Sequence, residues 1–352
     1  MSEKQPQATG GDVPDAGTTG ALTSAAAQPG KVRTFAELVK FEHSIFALPY
    51  AYLGALYGAA VVYAGWIART GVSASEFAKL AATVPSRGFP GPWRYVTPLG
   101  WPGWWALVWV TVAMVGARSF AFVVNRAVDA EIDARNPRTA GRPIPAGTIK
   151  RWELWLFSAA VLGAYVAAVY QLDRSTHWLW PIPIAFFVVY PYLKRFTWFC
   201  HFWLGICLGL GVTGGWAAVG APLAHPTPWL LGAAVAIWTA GFDIIYAIQD
   251  YECDVRDGIH SVPADFGIAT GLTVTRICHA ITVVLFVAGG YFAGAGWAYY
   301  VGVLVAAALL VYENAIISPT DLSRVNAAFF NVNGMVAVVV LLGGIADRFL
   351  AK

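Results

Sequence analysis

Long uninterrupted runs of apolar residues dominate the pattern along this chain. Nine of them approach or exceed the roughly 20 residues with which an α-helix crosses the hydrocarbon of a bilayer. They lie near residues 44–66, 104–126, 152–171, 176–192, 200–220, 228–249, 272–294, 296–316 and 329–349. Prolines at 181, 183 and 191 interrupt the fourth run. Because the runs are continuous and not alternating, they exclude a transmembrane β-barrel. The pattern predicts an all-α polytopic membrane protein, with about nine transmembrane helices in a bundle around a central cavity.

The composition agrees with a membrane setting. Of the 352 residues, 58% are hydrophobic and only 12% are charged, and the mean hydropathy is +0.58. An ordinary soluble domain has about 25% charged residues. We therefore expect membrane lipid as the surroundings and no nucleic acid as a partner.

The chain divides into a polar tail and one membrane domain. Residues 1–30 are rich in Gly, Ala, Thr, Gln and Pro without an apolar run, which predicts a disordered cytoplasmic tail and no signal peptide. Residues 31–352 are expected to form the transmembrane domain. Its one sizeable outer loop is predicted at about 70–103, where residues 73–84 have the pattern of a short amphipathic helix. The four cysteines show no pairing pattern and are predicted to be free thiols.

Basic residues beside the apolar runs indicate an orientation. With a cytoplasmic N-terminus, the inner connections carry about twice as many Lys and Arg residues as the outer ones. Positive charge is enriched in cytoplasmic loops. We expect an integral protein of the cytoplasmic membrane of a prokaryote, with its N-terminus inside and its C-terminus outside.

Two acidic clusters stand out in this apolar chain, one after the second run and one after the sixth. They consist of Asn125, Asp129 and Asp133, and of Asp243, Asp250 and Asp254. Residues four or seven apart on a helix share a face, so each cluster predicts a polar stripe. Asp243 falls inside an apolar run, where a carboxylate costs about 3 kcal/mol and marks a functional candidate. Both stripes fall at the cytoplasmic face and would repel each other unless a cation lay between them.

The ligand types in these clusters favour a hard metal ion and a phosphorylated substrate. Oxygen ligands suit Mg²⁺, which is commonly shared between carboxylates and substrate phosphates. Cations at the same face are suited to binding phosphoryl oxygens; they are Arg138, Arg142, Lys194 and Arg195. Arg118 lies seven residues before Asn125, on the same helical face and one layer deeper. Singly, such acids are more often solvated helix ends and such arginines more often membrane anchors. Their repetition at one face favours a lipid diphosphate site.

The same residues resemble the two signatures of the UbiA intramembrane prenyltransferases. Residues 125–145 are similar to the first signature and residues 243–263 to the second, while residues 190–197 are similar to the basic motif between them. The resemblance extends over roughly residues 33–350. It implies a membrane helical bundle that transfers a polyprenyl group from its diphosphate to an aromatic acid, with Mg²⁺ as cofactor.

The resemblance also implies a role for each residue. Asn125, Asp129 and Asp133 on one side, with Asp250 and Asp254 on the other, would hold Mg²⁺. The diphosphate would bind Arg138, Arg142, Lys194 and Arg195. Asp243 with Tyr246 would steer the allylic cation or assist loss of the ring proton. Arg118 or His43 would meet the carboxylate of the acceptor; the alternatives are that Arg118 braces the acidic stripe and that His43 has a structural role, which is the more common one for such a histidine.

The identity of the acceptor stays open between two quinone precursors, 4-hydroxybenzoate and a dihydroxynaphthoate. Residues 37–49 are similar to relatives of the second, menaquinone type, and differ from the ubiquinone type. Within the same family, prenylation of haem or of chlorophyll is an alternative. A secondary transporter is the alternative from another class, since paired intramembrane acids can carry ions. The acids lie near helix ends at one face and not at the midplane, which disfavours a transporter.

Overall fold

The computed structural model describes residues 46–72, 75, 76, 79 and 94–350. In these ranges the chain is helical apart from turns and two isolated β-bridges, which confirms the all-α prediction. Outside them lie the predicted tail at 1–30, His43 and most of the amphipathic segment at 73–84. All four cysteines are free, as predicted.

Fourteen helices follow one another along the described residues. In chain order they are α1 (Leu48–Thr70), α2 (Trp104–Val128), α3 (Ala130–Arg135), α4 (Arg151–Val169), α5 (Thr176–Leu179), α6 (Pro181–Leu193), α7 (Cys200–Ala218), α8 (Pro226–Ala247), α9 (Tyr251–Asp257), α10 (Val262–Phe266), α11 (Ile268–Ala293), α12 (Trp297–Ala315), α13 (Val325–Ala327) and α14 (Asn333–Leu350). A 3₁₀ turn at Ile248–Asp250 joins α8 to α9, and a π-turn at Ala328–Val332 joins α13 to α14.

Eight segments of the described chain, and not nine, are long and apolar enough to cross a membrane. They are α1, α2, α4, α7, α8 with its continuation to Asp257, α11, α12, and α13 with α14. The predicted fourth span is the exception, since it forms the short α5 and the 13-residue α6. Proline is favoured at the start of a helix and lacks an N–H for an interior bond. Pro181 accordingly begins a new helix where α5 ends.

The helices pack in two groups that leave a space between them. One group contains α1, α7, α8, α11, α12 and α14, with α8 lying between α7 and α11. Its core is aromatic, and the Tyr50 and Trp238 rings meet edge to face with centroids 5.2 Å apart. The other group packs α2 against α4 and α6 around Ala117 and Tyr165. Both predicted acidic clusters line the space between the groups.

A buried polar network holds the π-turn beside this space. The Asn333 side chain accepts a 2.8 Å hydrogen bond from Trp238 Nε1 and donates a 2.7 Å bond to Glu313 Oε1. Its amide also donates to the carbonyl of Ala328 within the π-turn, at 3.1 Å. π-Turns inside helices occur frequently at functional sites. Here the turn presents Phe329 and Phe330 to the cavity.

Helices α1 and α7 pack so closely at Gly215 that a larger side chain there is expected to lower the stability of the protein. A Cβ at this position would overlap the backbone carbonyl of Ala51 on α1, so Gly215→Ala must separate two helices. Overpacking of this kind costs about 1–3 kcal/mol. We expect a lower midpoint of thermal unfolding in detergent micelles for Gly215→Ala. The matched control is Gly214→Ala, since no described atom outside its own helical turn lies within 4 Å of a Cβ there. Equal midpoints for the two variants would contradict this packing.

Candidate active site

A large cavity, with a volume of about 1020 Å³, lies between the two groups of helices. One end is polar and is formed by the ends of α2 and α8 with the segments that follow them. The remainder is lined mainly by apolar side chains; these include Met114, Phe122, Phe187, Leu204, Leu208, Leu223, Trp229, Phe242, Phe329 and Phe330. The cavity therefore offers a charged end joined to a long apolar chamber.

The first acidic cluster spans a break between two helices. Helix α2 ends at Val128 and α3 begins at Ala130, with Asp129 between them. The Asp129 N–H still donates to the carbonyl of Asn125 at 2.9 Å, and the Asp133 N–H to that of Asp129 at 2.8 Å. This i to i−4 pattern preserves the helical spacing across the break. Asn125, Asp129 and Asp133 consequently all line the cavity.

The second acidic cluster follows the end of α8. The 3₁₀ turn at Ile248–Asp250 tightens the backbone, and α9 then ends at Asp257, followed by Gly258, whose φ of +66° suits glycine. Asp243 lies on α8 itself, whereas Asp250 and Asp254 lie on the turn and on α9. All three acids line the cavity together with Tyr246. The structure thus brings both clusters to one end of one cavity.

Three of the predicted phosphate-binding cations pair with these acids. Lys194 Nζ lies 2.5 Å from Asp129 Oδ2, and Arg142 Nη1 lies 2.6 Å from Asp133 Oδ1. Arg138 forms an ion pair with Asp250, to which the Asn136 amide also donates at 2.7 Å. All three cations line the cavity, and the pairs of Lys194 with Asp129 and of Arg138 with Asp250 join segments that are 65 and 112 residues apart in the chain.

Arg195 lies elsewhere. Its Nη2 donates a 2.8 Å hydrogen bond to the carbonyl of Val128 at the end of α2, and it is not among the residues that line the cavity. A cation near a helix C-terminus interacts favourably with the helix dipole. In the structure, Arg195 supports the backbone next to Asp129.

Two buried carboxylate oxygens of the first acidic cluster accept no hydrogen bond from the described residues. Asp129 is only 3% exposed; burial raises the pKa of its carboxyl, and the charge of Lys194 opposes that rise. Its second oxygen, Oδ1, is buried and has no hydrogen-bond partner within the described part of the chain. The same holds for Asp133 Oδ2, which lies 3.6 Å from Arg126 Nη1. Buried acceptors without partners are costly, so these two oxygens are suited to an added cationic ligand.

The donor set fits Mg²⁺ in type, because it consists of carboxylate and amide oxygens. Among the described residues, no three His, Cys, Asp or Glu side chains are gathered closely enough to hold a metal ion by themselves. Mg²⁺ commonly takes only one or two carboxylates, with waters and substrate phosphates as its other ligands. The arrangement therefore suits an ion that arrives with a phosphorylated substrate.

Deeper in the cavity, Arg118 and Tyr246 contribute polar groups. The guanidinium of Arg118 lies over the Phe122 ring, with Cζ 5.2 Å from the centroid, and its buried Nε has no hydrogen-bond partner among the described residues. The Tyr246 hydroxyl accepts a 3.0 Å bond from Arg138 Nη1, and its ring centroid lies 4.2 Å from that of Phe329. Arg118 thus offers an unused donor to a ligand in the chamber.

Sequence reasoning did not identify three residues that complete this site. His201 contacts Asp243 at 2.7 Å, Asn136 contacts Asp250, and Arg126 is buried beside Asp133. His201 lies in an apolar helix without a motif, and its partner is 42 residues away. Only the polarity of His201 within an apolar run could have drawn attention to it.

Known proteins resemble this chain in sequence. The model of the UbiA prenyltransferase family matches residues 94–335. A 4-hydroxybenzoate octaprenyltransferase from Cupriavidus necator is 31% identical over 252 residues, which cover 71% of this chain and 88% of that protein. A protein of the same name from Edwardsiella ictaluri is 32% identical over 257 residues, or 69% of this chain and 88% of that protein.

Solved structures resemble it in fold. The apo structure of a UbiA homologue from Aeropyrum pernix K1 matches with a TM-score of 0.69 and 32% identity, covering 87% of this chain and 98% of the other. A UbiA homologue from Archaeoglobus fulgidus, solved with GPP and Mg²⁺, matches with a TM-score of 0.58 and 17% identity. That match covers 90% of this chain and 99% of the other. The described helices therefore have a fold that occurs in known membrane proteins.

Proposed function

This chain belongs to the UbiA prenyltransferase family, and on that premise we propose that it transfers a polyprenyl group from a polyprenyl diphosphate to a ring carbon of an aromatic acid, with Mg²⁺ as cofactor. It is an integral membrane protein. The relatives named as 4-hydroxybenzoate octaprenyltransferases support a quinone precursor as the acceptor. Ubiquinone or menaquinone biosynthesis would use such a product.

The observation that carries this proposal is the charge arrangement of the cavity. Two acidic clusters and three cations meet at one end of an apolar chamber of about 1020 Å³. A lipid diphosphate has the matching form, with a charged head and a long apolar tail. A polar end alone would suit many anions, whereas the attached apolar chamber favours a lipid.

The first chemical step is departure of the diphosphate. The C–O bond of the allylic diphosphate breaks, and its electron pair leaves with the diphosphate. Bound Mg²⁺ would be held by Asn125, Asp129, Asp133, Asp250 and Asp254 and would supply Lewis-acid stabilisation of the leaving group. Arg138, Arg142 and Lys194 would donate to the same oxygens, where charge develops. Arg195, which braces the end of α2, would support this end of the site indirectly.

The second step forms a carbon–carbon bond. An electron pair of the acceptor ring attacks the allylic cation, while the apolar chamber keeps water away from that cation. The ring carbon then loses its proton, for which Asp243 is the proposed acceptor. Tyr246 lies beside Asp243 and would help to stabilise the cation. The rings of Phe329 and Phe330 line the same region.

The acceptor carboxylate needs a cationic partner in this chamber. Arg118 lines the cavity, and its buried Nε forms no hydrogen bond with any residue that the structure describes. A guanidinium binds a carboxylate with two parallel hydrogen bonds. We assign the acceptor carboxylate to Arg118, whereas His43 lies outside the described residues.

A transfer assay tests the proposed function. The purified protein in liposomes is given a labelled polyprenyl diphosphate, Mg²⁺ and one acceptor at a time: 4-hydroxybenzoate, a dihydroxynaphthoate, haem or a chlorophyll precursor. We expect label in a carbon-linked product of an aromatic acid. Conversion of haem or of the chlorophyll precursor alone would replace the quinone assignment with one of the other prenylations. If no acceptor takes up label, the proposed function is wrong.

The polar end of the cavity is proposed to face the cytoplasm, because the connections on that side carry the excess of basic residues. Cys253 on α9 reports on this, since it is half-buried whereas Cys200, Cys207 and Cys278 are buried. A membrane-impermeant maleimide should label inverted vesicles and spare right-side-out vesicles. Cys253→Ala is the control and should remove the labelling. If only right-side-out vesicles were labelled, the polar end of the cavity would face the opposite side of the membrane from the one proposed.

A further inference from the structure

His201 holds Asp243 in one orientation. The imidazole is only 3% exposed and lies at the second position of α7. Its Nδ1 is 2.7 Å from Asp243 Oδ2 on α8, and its Nε2 is 3.2 Å from the backbone nitrogen of Val262. One side chain thus connects two spanning helices and the loop before α10.

The two contacts fix the role of each ring nitrogen. A backbone N–H can only donate, so Nε2 of His201 accepts from Val262. Nδ1 therefore carries the hydrogen and donates it to Asp243 Oδ2. Since both ring nitrogens are occupied, His201 has no free position at which to take a proton from a substrate. Among the described residues Asp243 Oδ1 makes no hydrogen bond, so this oxygen is the one left for a ligand.

The loop at residues 260–261, which leads into Val262 at the start of α10, is itself fixed to the charged end of the cavity. The His260 N–H donates to the carbonyl of Lys194 at 2.7 Å, and the Ser261 hydroxyl accepts from the Ala264 N–H at 3.1 Å to begin α10. Val262 is only 2% exposed. Through this loop, the orientation of Asp243 is coupled to Lys194, which pairs with Asp129.

We propose that His201 is the positioning residue of Asp243: it holds Oδ2 so that Oδ1 faces the acceptor ring, and it takes no part in binding either substrate. This inference rests on the proposed function, in which Asp243 receives the ring proton. Proton transfer needs the acceptor oxygen within hydrogen-bond reach of the reacting carbon. A carboxylate at the junction of two helices could rotate away without a fixed partner. His201 removes that freedom.

Steady-state kinetics of His201→Leu test this role. Loss of a residue that orients a metal ligand typically lowers activity about 10–100-fold, and we expect a loss of the same order for a residue that orients a proton acceptor. We expect kcat to fall by that factor while KM for the prenyl diphosphate and for the acceptor stays unchanged. His201→Gln, whose amide can donate to Asp243 and accept from Val262, should recover most of the lost rate. The matched control is His279→Leu. His279 is also 3% exposed and pairs with Asn314 at 2.8 Å, away from the cavity. Its replacement should lower the thermal midpoint without changing kcat per folded molecule.

A double-mutant cycle with Asp243→Ala separates positioning from general support of the fold. If His201 acts through Asp243, His201→Leu should cause no further loss of kcat in the Asp243→Ala background. The positioning role would be overturned if His201→Leu lowered kcat by the same factor in the wild-type and Asp243→Ala backgrounds. It would also be overturned if His279→Leu lowered kcat by as much as His201→Leu does. Unchanged kcat in His201→Leu would overturn it as well. An inactive wild type with every acceptor would instead overturn the proposed function and this role with it.

Discussion

Replacing Asp129 or Asp250 with alanine is expected to abolish prenyl transfer. Each carboxylate comes from a different acidic cluster, and both line the polar end of the cavity. Metal coordination and charge stabilisation contribute several kcal/mol, and each 1.4 kcal/mol is a factor of ten in rate. The rate should therefore fall at least about 1000-fold in membranes with Mg²⁺. The measurement is formation of labelled product per folded molecule.

Two controls separate chemistry from folding in this experiment. Asp129→Ala leaves Lys194 without its ion-pair partner, so Asp129→Asn, which keeps the shape, is measured beside it. Asp257→Ala removes a carboxylate from the same short helix that carries Asp254. In the wild type, Asp257 Oδ1 lies 2.9 Å from Arg256 Nε, and Asp257 does not line the cavity. We expect this variant to retain activity. Full activity in Asp129→Ala or in Asp250→Ala would refute the metal assignment.

The second large effect is expected at Arg118. Methionine in its place keeps much of the side-chain volume and removes the charge. A hydrogen bond to a charged group contributes about 1.5–3 kcal/mol, which corresponds to about a 10–100-fold change in affinity. Arg118→Met should raise KM for the aromatic acid by that factor and leave KM for the prenyl diphosphate unchanged.

A neutral acceptor isolates the contribution of the carboxylate in the Arg118 experiment. A phenol that lacks the acid group cannot use the guanidinium, so wild type and Arg118→Met should prenylate it at similar rates. The preference for the acid over the phenol should then collapse in the variant. An unchanged preference would assign the carboxylate to another residue. Arg118→Lys keeps the charge but lacks the planar guanidinium. Its preference for the acid over the phenol is expected to lie between those of the wild type and Arg118→Met.

The sequence predicted those parts of the site that depend on local spacing. Asn125, Asp129 and Asp133 share a face because helical hydrogen bonds continue across the break at Asp129. The cations were identified because they follow spans that end at the same face. Contacts between distant segments were not predictable in this way. Asn136 and Asp250 are 114 residues apart, and no local pattern connects them.

Two departures from expectation have physical causes in the backbone. The fourth apolar run divides into α5 and α6, because Pro181 begins a new helix. Arg195 lies next to Lys194 in the chain, but adjacent residues at the end of a helix point in different directions. Lys194 therefore reaches Asp129, while Arg195 reaches the carbonyl of Val128. A basic motif predicts that its residues lie near one end of the bundle but does not predict the partner of each side chain.

The fate of the diphosphate tests the central claim most directly. Purified protein in liposomes is given labelled prenyl diphosphate and the acceptor that it uses, with Mg²⁺ or with a chelator, and both released diphosphate and prenylated product are measured. The account predicts one diphosphate released for each carbon-linked product, and neither of them when the metal is removed. Recovery of the prenyl diphosphate intact in the presence of Mg²⁺ would contradict the account.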